Sequence, residues 1–279
     1  MSSLAIRRLS PRIELKEYIK DIWLFESNGR LPEKETPIFI PNGSAKLMLY
    51  YEGQFTGRIG NRMFMSPEHK IFVLGVSDCP IMVEFDRGKT FGCICIEFKP
   101  AFAYRLLAVP QHKLRNMLVP FEELVNPLNH CMIEVRLSMT FDPVQKASLL
   151  QKYLIEILVL TKKDATFEYS ASKILNSHGL ISMAELSHAL GQSDRWVRAK
   201  FTERLGISPK TFASIVRFHS CLRALLQNKQ SFLKDRQFND FYYDQAHFTK
   251  EFKRFIGYPP AKYASLRNEV GEMIYSHDL

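Results

Sequence analysis

Cysteine is scarce and unpatterned in this chain. Its five copies, Cys79, Cys93, Cys95, Cys131 and Cys221, are odd in number and sit mostly among apolar residues. No CxxC pair with a histidine partner occurs, so neither a zinc site nor a disulfide framework is indicated, and buried thiols in a reducing compartment are expected. Long apolar runs are missing too. The longest, 149–160, is broken by Gln151, Lys152 and Glu156 and is too polar to cross a bilayer. The opening MSSLAIRRLS has no apolar core of signal-peptide length. The expectation is a cytoplasmic protein with no membrane partner. Catalytic signatures are also lacking: there is no GxSxG, HExxH, P-loop or strand–helix GxGxxG, and no close carboxylate pair. Histidine is sparse in the first half, where His69, His112 and His130 stand far apart, which argues against a metal-binding barrel. No catalytic residue, metal or cofactor is therefore expected.

What is present is a folded-protein composition over 279 residues, enough for two domains. The net charge of +9 is concentrated. Between positions 190 and 262, 14 Lys/Arg face 6 Asp/Glu, a surplus of 8. A basic region of that density favours an acidic polymer as partner, against the plainer reading of a solvated face.

The first third has a β texture. Ile38–Ile40 ends at Pro41-Asn42-Gly43, and 47–51 ends at Glu52-Gly53; runs at 71–76, 81–85 and 93–98 follow, each bounded by Gly, Pro or Asp. Strands so short and so spaced suggest a small barrel or sandwich. A helical patch is expected from Pro100 through Leu107. Residues 143–161 read as one amphipathic helix, whose Leu150, Leu154, Ile157 and Leu158 either pack on the chain's own barrel or form a homodimer seam. Thr161–Asp164 ends it, and the remaining texture is helical.

A pattern then occurs twice. Ser193-Asp194-Arg195-Trp196-Val197, Phe201, Leu205-Gly206 and Pro209 are answered by Asp244-Gln245-Ala246-His247-Phe248, Phe252, Ile256-Gly257 and Pro260. Each copy starts on a Ser or Asp able to cap a helix. Each carries apolar residues at i, i+4 and i+8, and stops on Gly with Pro soon after. Before the first copy, Ser182 and Glu185 form a capping box for a helix at 183–190, and Gly191 closes it. Helix, tight turn and Ser-capped helix make a helix-turn-helix, whose second helix presents its first residues to base edges. Arg195 and Arg198 suit guanine. Trp196 is either a base contact or a partly buried anchor. Ser193, Lys200, Arg204, Lys210, Arg217, His247, Lys253 and Arg254 suit phosphates, and the helix start at Pro209-Lys210 adds N–H donors.

SDRWVRAKFTERLGISPKTFASIVRF (193–218) and YYDQAHFTKEFKRFIGYPPAKY (242–263) resemble the DNA-binding domain of the AraC family of transcription regulators. The resemblance implies two helix-turn-helix units joined by a long helix near Pro209–Leu226, so that two reading helices meet major grooves about 34 Å apart. It places base-contacting positions on Arg195, Arg198 and Ala199, and on Gln245, Ala246, Thr249 and Lys250. Ala199 stands where family members often carry Arg. In the second unit's supporting helix, Arg236-Gln237 and Phe241 replace an Ile-Ala pair and a Gly, with Phe232, Leu233 and Phe238 as substitute core. More loosely, the segments at 21–27, 39–51 and 97–107 are similar to the cupin-like sensory domain of one AraC branch.

The resulting expectation is an α+β chain of two domains. Residues 1–141 form a small cupin-like β-barrel with flanking helices for sensing or dimerisation; 142–165 are a linker helix; 166–279 are an all-α double helix-turn-helix. The function expected is a sequence-specific, bacterial-type regulator that binds double-stranded DNA, with RNA polymerase as a family-implied partner. A small-molecule effector would meet Tyr50, Arg58, Arg62, Glu97 or Arg105. The alternatives are a protein-interaction module with weakened DNA binding and a barrel enzyme with an accessory helical domain.

Overall fold

The computed structural model describes residues 4–28, 37–85, 89–107, 109–124, 127–158, 162–227, 241–263 and 265–266. The strands are β1 (Leu4–Leu9), β2 (Ile19–Asn28), β3 (Ile38–Phe39), β4 (Lys46–Glu52), β5 (Phe55–Ile59), β6 (Arg62–Ser66), β7 (Lys70–Leu74), β8 (Ile81–Phe85), β9 (Thr90–Phe98) and β10 (Leu118–Pro120). They form one sheet ordered β1-β2-β9-β4-β7-β10 and a second ordered β3-β8-β5-β6, with every pairing antiparallel. Alternation explains the architecture. Leu47, Leu49, Ile94 and Ile96 turn outward from the larger sheet into a core shared with the helices. Tyr50, Phe55, Phe91 and Cys93 belong to a separate core between the two sheets.

The five expected strand runs are β3, β4, β7, β8 and β9. The β5–β6 hairpin was not legible because Gly57, Arg58 and Arg62 dilute its apolar signal, although its buried positions alternate strictly along β5. The segment from Pro100 is not a helix but a single 3-10 turn at Ala103–Arg105. Ala101 sits at φ +71, a left-handed conformation that no helix can run through.

Two helices, α1 (Pro127–Ser138) and α2 (Pro143–Leu158), pack as a hairpin against the barrel. Of the two readings of α2, the described residues follow the packing on the chain's own first domain. Leu150 and Leu154 are each 1% exposed, Ile157 packs against the same core, and Tyr153 meets Phe121 edge to face at 6.0 Å. The Leu158 side chain lies outside the described residues.

The second domain holds α3 (Ala165–Asn176), α4 (Met183–Leu190), α5 (Asp194–Arg204), α6 (Pro209–Gln227), α7 (Gln245–Ile256) and α8 (Pro260–Tyr263). Arg236, Gln237, Phe232, Leu233 and Phe238 lie outside the described residues; Phe241 is half-buried against the core.

Among the described residues this domain docks on the first in several places, one of them the start of α3, where Tyr104 donates to Glu168 at 2.6 Å and meets the Phe167 ring edge to face. Under α6, the His219 Nε2 donates to the Pro41 carbonyl at 2.6 Å, and Gly43 lies so close to Phe212 that a Cβ would fall 2.6 Å from its ring. At the end of α5, Gly206 abuts the turn at Gln111–Lys113, where a Cβ would stand 2.7 Å from the Gln111 carbonyl oxygen. At the end of α7, Arg254 lies 3.4 Å from Asp78, with Pro80 and Met82 beside Gly257.

Candidate nucleic-acid interface and barrel cavity

The helix-turn-helix is built by local rules. Ser182 accepts from Glu185 N at 3.2 Å, and the Glu185 carboxylate returns to Ser182 N at 2.8 Å, completing the capping box. Gly191 closes α4 at φ +60. Ser193 then caps α5 by accepting from Trp196 N at 3.2 Å, and Asp244 caps α7 by accepting from His247 N at 2.7 Å. Each such cap contributes about 1 kcal/mol. Val197, Phe201 and Leu205 are buried beneath α5, as are Phe248, Phe252 and Ile256 beneath α7. Phe255, on the flank of that second stripe, is buried too, its ring 5.2 Å from that of Phe218.

Those stripes fix which faces point outward. On α5, Arg195, Arg198 and Ala199 are exposed; on α7, Gln245, Ala246, His247, Lys250 and Lys253 are exposed and Thr249 is half-buried. Trp196 is half-buried against the core with the Lys200 ammonium 5.7 Å from its ring, the geometry of an anchor. The first turns of both helices are therefore open to solvent, and the barrel lies against their far ends.

Between the start of α6 and the face of α7 is a cleft of about 280 Å³, lined by Lys210, His247, Lys250 and Arg254 with Ser208, Thr211 and Ser214 and by Glu251, the partner of Arg217. Ser208 caps α6 by accepting from Thr211 N at 3.1 Å, so the positive end of that helix adds to four basic side chains. Residues expected separately at phosphates and at a base are thus gathered round one concavity.

Other expected phosphate ligands are engaged inside the fold. Lys200 and Arg204 lie 3.2 and 3.3 Å from Asp164, the N-cap of α3, and Arg204 also covers the Tyr104 ring. Burial alone would raise the Asp164 carboxyl, but the Phe167 N–H and the two cations hold it below its ordinary value. Arg217 donates to Glu251 at 3.0 Å and stacks on Tyr242, tying α6 to α7. These three cations shape the domain instead of facing outward. Arg254 divides its reach between the cleft and Asp78, which Arg115 also approaches at 2.6 Å. Desolvation opposes the charge on Asp78, yet Arg115, Asn116 and Arg254 keep its carboxyl low. Asp78, Asp164 and Glu251 had no sequence signal as partners, because each meets its arginine or lysine only across the fold.

Among the expected effector residues, Tyr50 and Glu97 line a cavity of about 100 Å³ between the two sheets. The others do not. Arg58 and Arg62 face solvent from β5 and β6, since alternation turns them away from the inner face. Arg105 is buried at the domain junction, 3.8 Å from Glu168. Missed by sequence reasoning were Trp23, Lys46, Asn42 and Ser44, which also line the cavity. The inward register of β2, β4 and β9 was the signal available for the first two.

Residues 186–265 match a family described as a helix-turn-helix domain, and residues 7–120 match a domain of unknown function (DUF6597). Among curated proteins none matches the chain significantly in sequence. ToxT from Vibrio cholerae is similar in structure over 94% of this chain and 98% of that one, at 9% identity and a TM-score of 0.50. The unsaturated-fatty-acid-bound ToxT of strain SCE256 is similar over 91% and 96%, at 12% identity and a TM-score of 0.50. At these identities the likeness is one of fold. The C-terminal domain thus matches a helix-turn-helix domain, and the chain shares with ToxT a two-domain fold, here a β-barrel followed by helices. Among the described residues no helix is long and apolar enough to cross a membrane.

Proposed function

We propose that this chain is a sequence-specific DNA-binding transcription regulator that acts in the cytoplasm and answers to a ligand held in its barrel. The observation that carries the reading is the exposure of Arg195, Arg198 and Ala199 on α5 and of Gln245, Ala246 and Lys250 on α7, while the opposite ends of both helices rest on the barrel. Arg195 and Arg198 read guanine edges, and α7 reads the neighbouring groove with Gln245, Ala246, Thr249 and Lys250. Ser193, Lys210, His247, Lys253 and Arg254 take phosphates, the cleft at the start of α6 holding the backbone that passes between the grooves.

The ligand half of the reading rests on where the cavity ends. Asn42 and Ser44 line it, and the same turn presses Pro41 and Gly43 onto α6. Ser77 and Ile81 line it as well, flanking Asp78, which holds Arg254 of α7. An occupant that moves either turn by a fraction of an ångström alters the seating of a reading helix, provided it prefers one seating over the other. ToxT offers a precedent for this fold with a small molecule bound.

The test is a salt titration of binding to random duplex DNA. Affinity at low salt with a steep log–log slope supports the reading. Absence of binding at low salt would overturn it and leave a protein-interaction module.

A further inference from the structure

The inner faces of β2, β9 and β4 set residues in rows across the sheet. Asp21, Glu97 and Lys46 form the row at one end; Trp23, Cys95 and Met48 form the next; Phe25, Cys93 and Tyr50 follow. Glu97 and Lys46 reach the cavity, and the rest of its wall is apolar and largely aromatic, with Phe55, Phe64 and Phe91 completing it. Burial pushes the Cys95 thiol up to about 12 and Cys93 well above its usual range, so both stay protonated and neither is a nucleophile. An occupant is held without a covalent bond.

Size and head group are both constrained. A cavity of about 100 Å³ is somewhat smaller than the ~150 Å³ that accommodates benzene. It admits roughly one small ring with slight adjustment of its walls, and no long chain. At the polar end, Asn42 donates to Glu97 at 2.5 Å, and the Lys46 ammonium approaches the Asn42 carbonyl oxygen at 3.3 Å. Ser44 is 4% exposed, lines the cavity and places its hydroxyl beside the Glu97 carboxylate. Burial opposes ionisation of Glu97, but Lys46 and Lys20 with Asn42 and Ser44 keep its carboxyl low. One carboxylate and one ammonium therefore share the end of the cavity. A ligand carboxylate would meet Glu97, and a ligand ammonium would meet Lys46, each at a low-dielectric cost.

Building on the effector reading, we propose that the barrel binds a compact, uncharged molecule of about single-ring size whose one hydroxyl-type head donates to Glu97 and accepts from Ser44 or Lys46. Only a group that is both donor and acceptor, and neutral, satisfies that end without stranding a charge. The class is that of phenols and small cyclic alcohols.

The experiment titrates four matched probes, phenol, toluene, benzoate and benzylammonium, together with dodecanoate, into the full chain by calorimetry. DNA affinity is measured in the same samples. Phenol should bind best. Glu97→Gln should weaken phenol on the order of tenfold and narrow its lead over toluene. Ser44→Ala should weaken phenol severalfold, since it removes one of the two groups that can donate to the ligand oxygen. Benzoate, benzylammonium or dodecanoate binding as tightly as phenol overturns the proposal, as does an unaltered phenol affinity in Ser44→Ala or no binding by any probe. If a charged or long probe binds and shifts DNA affinity, the ligand class falls and effector control stands. If phenol binds with the expected preferences and DNA affinity does not move, the class stands and effector control falls.

Discussion

Arg254, on α7, lies 3.4 Å from the carboxylate of Asp78, in a loop whose neighbours Ser77 and Ile81 wall the barrel cavity. A side chain that the proposed reading sends to a DNA phosphate is thus shared with the barrel. Asp78→Asn should release Arg254, tighten binding to random duplex and steepen the log–log salt slope by about one unit. The same release should follow acidification. Because the folded carboxyl is held low, its contribution to docking is complete above the ordinary aspartate range and is lost as pH falls through the lowered value, below about pH 4. An unchanged slope in Asp78→Asn would show that Arg254 never reaches DNA.

Arg195 is exposed at the first turn of α5, where the proposed reading places a base contact. Arg195→Ala should cost roughly 1–3 kcal/mol on operator DNA and far less on random sequence. Competition binding on an operator selected from a random pool measures this. Equal losses on both would reassign Arg195 to a phosphate.

Lys210 opens α6 and reaches the basic cleft. Lys210→Ala should weaken operator and random DNA alike and flatten the salt slope by about one unit. A sequence-dependent loss would contradict a purely positioning role.

Gly43 holds φ +77 against the ring of Phe212. Gly43→Ala adds strain at that angle and a clash with α6. It should loosen the docking of the two domains, seen as faster proteolysis between them, while the α4–α5 unit still binds DNA. Unchanged cleavage kinetics would mean that the turn is not a docking point.

Leu154 is 1% exposed on α2. Leu154→Asp should destabilise the fold by roughly 3–5 kcal/mol through an uncompensated buried carboxylate and lost packing. A thermal melt reads this directly. A change of mass in solution at constant melting temperature would instead restore the dimer seam.

Helices α4, α5 and α7 were legible almost residue by residue. Ser182, Ser193 and Asp244 begin them and Gly191 and Gly257 end them, through interactions spanning three or four residues. The barrel was legible only as a texture. Gly57, Arg58 and Arg62 left β5 and β6 with little apolar signal, and which of Tyr50, Arg58, Arg62, Glu97 and Arg105 faces inward depended on register.

The amino-acid order alone determined the repeated capped helices, their buried stripes and the clustering of positive charge, because these follow from neighbours along the chain. Only the tertiary structure decided where that charge goes. Lys200 meets Asp164 across 36 residues, Arg217 meets Glu251 across 34, and Arg254 meets Asp78 across 176. An ion pair depends on distance in space, and the inside of a barrel exists only once its strands have paired.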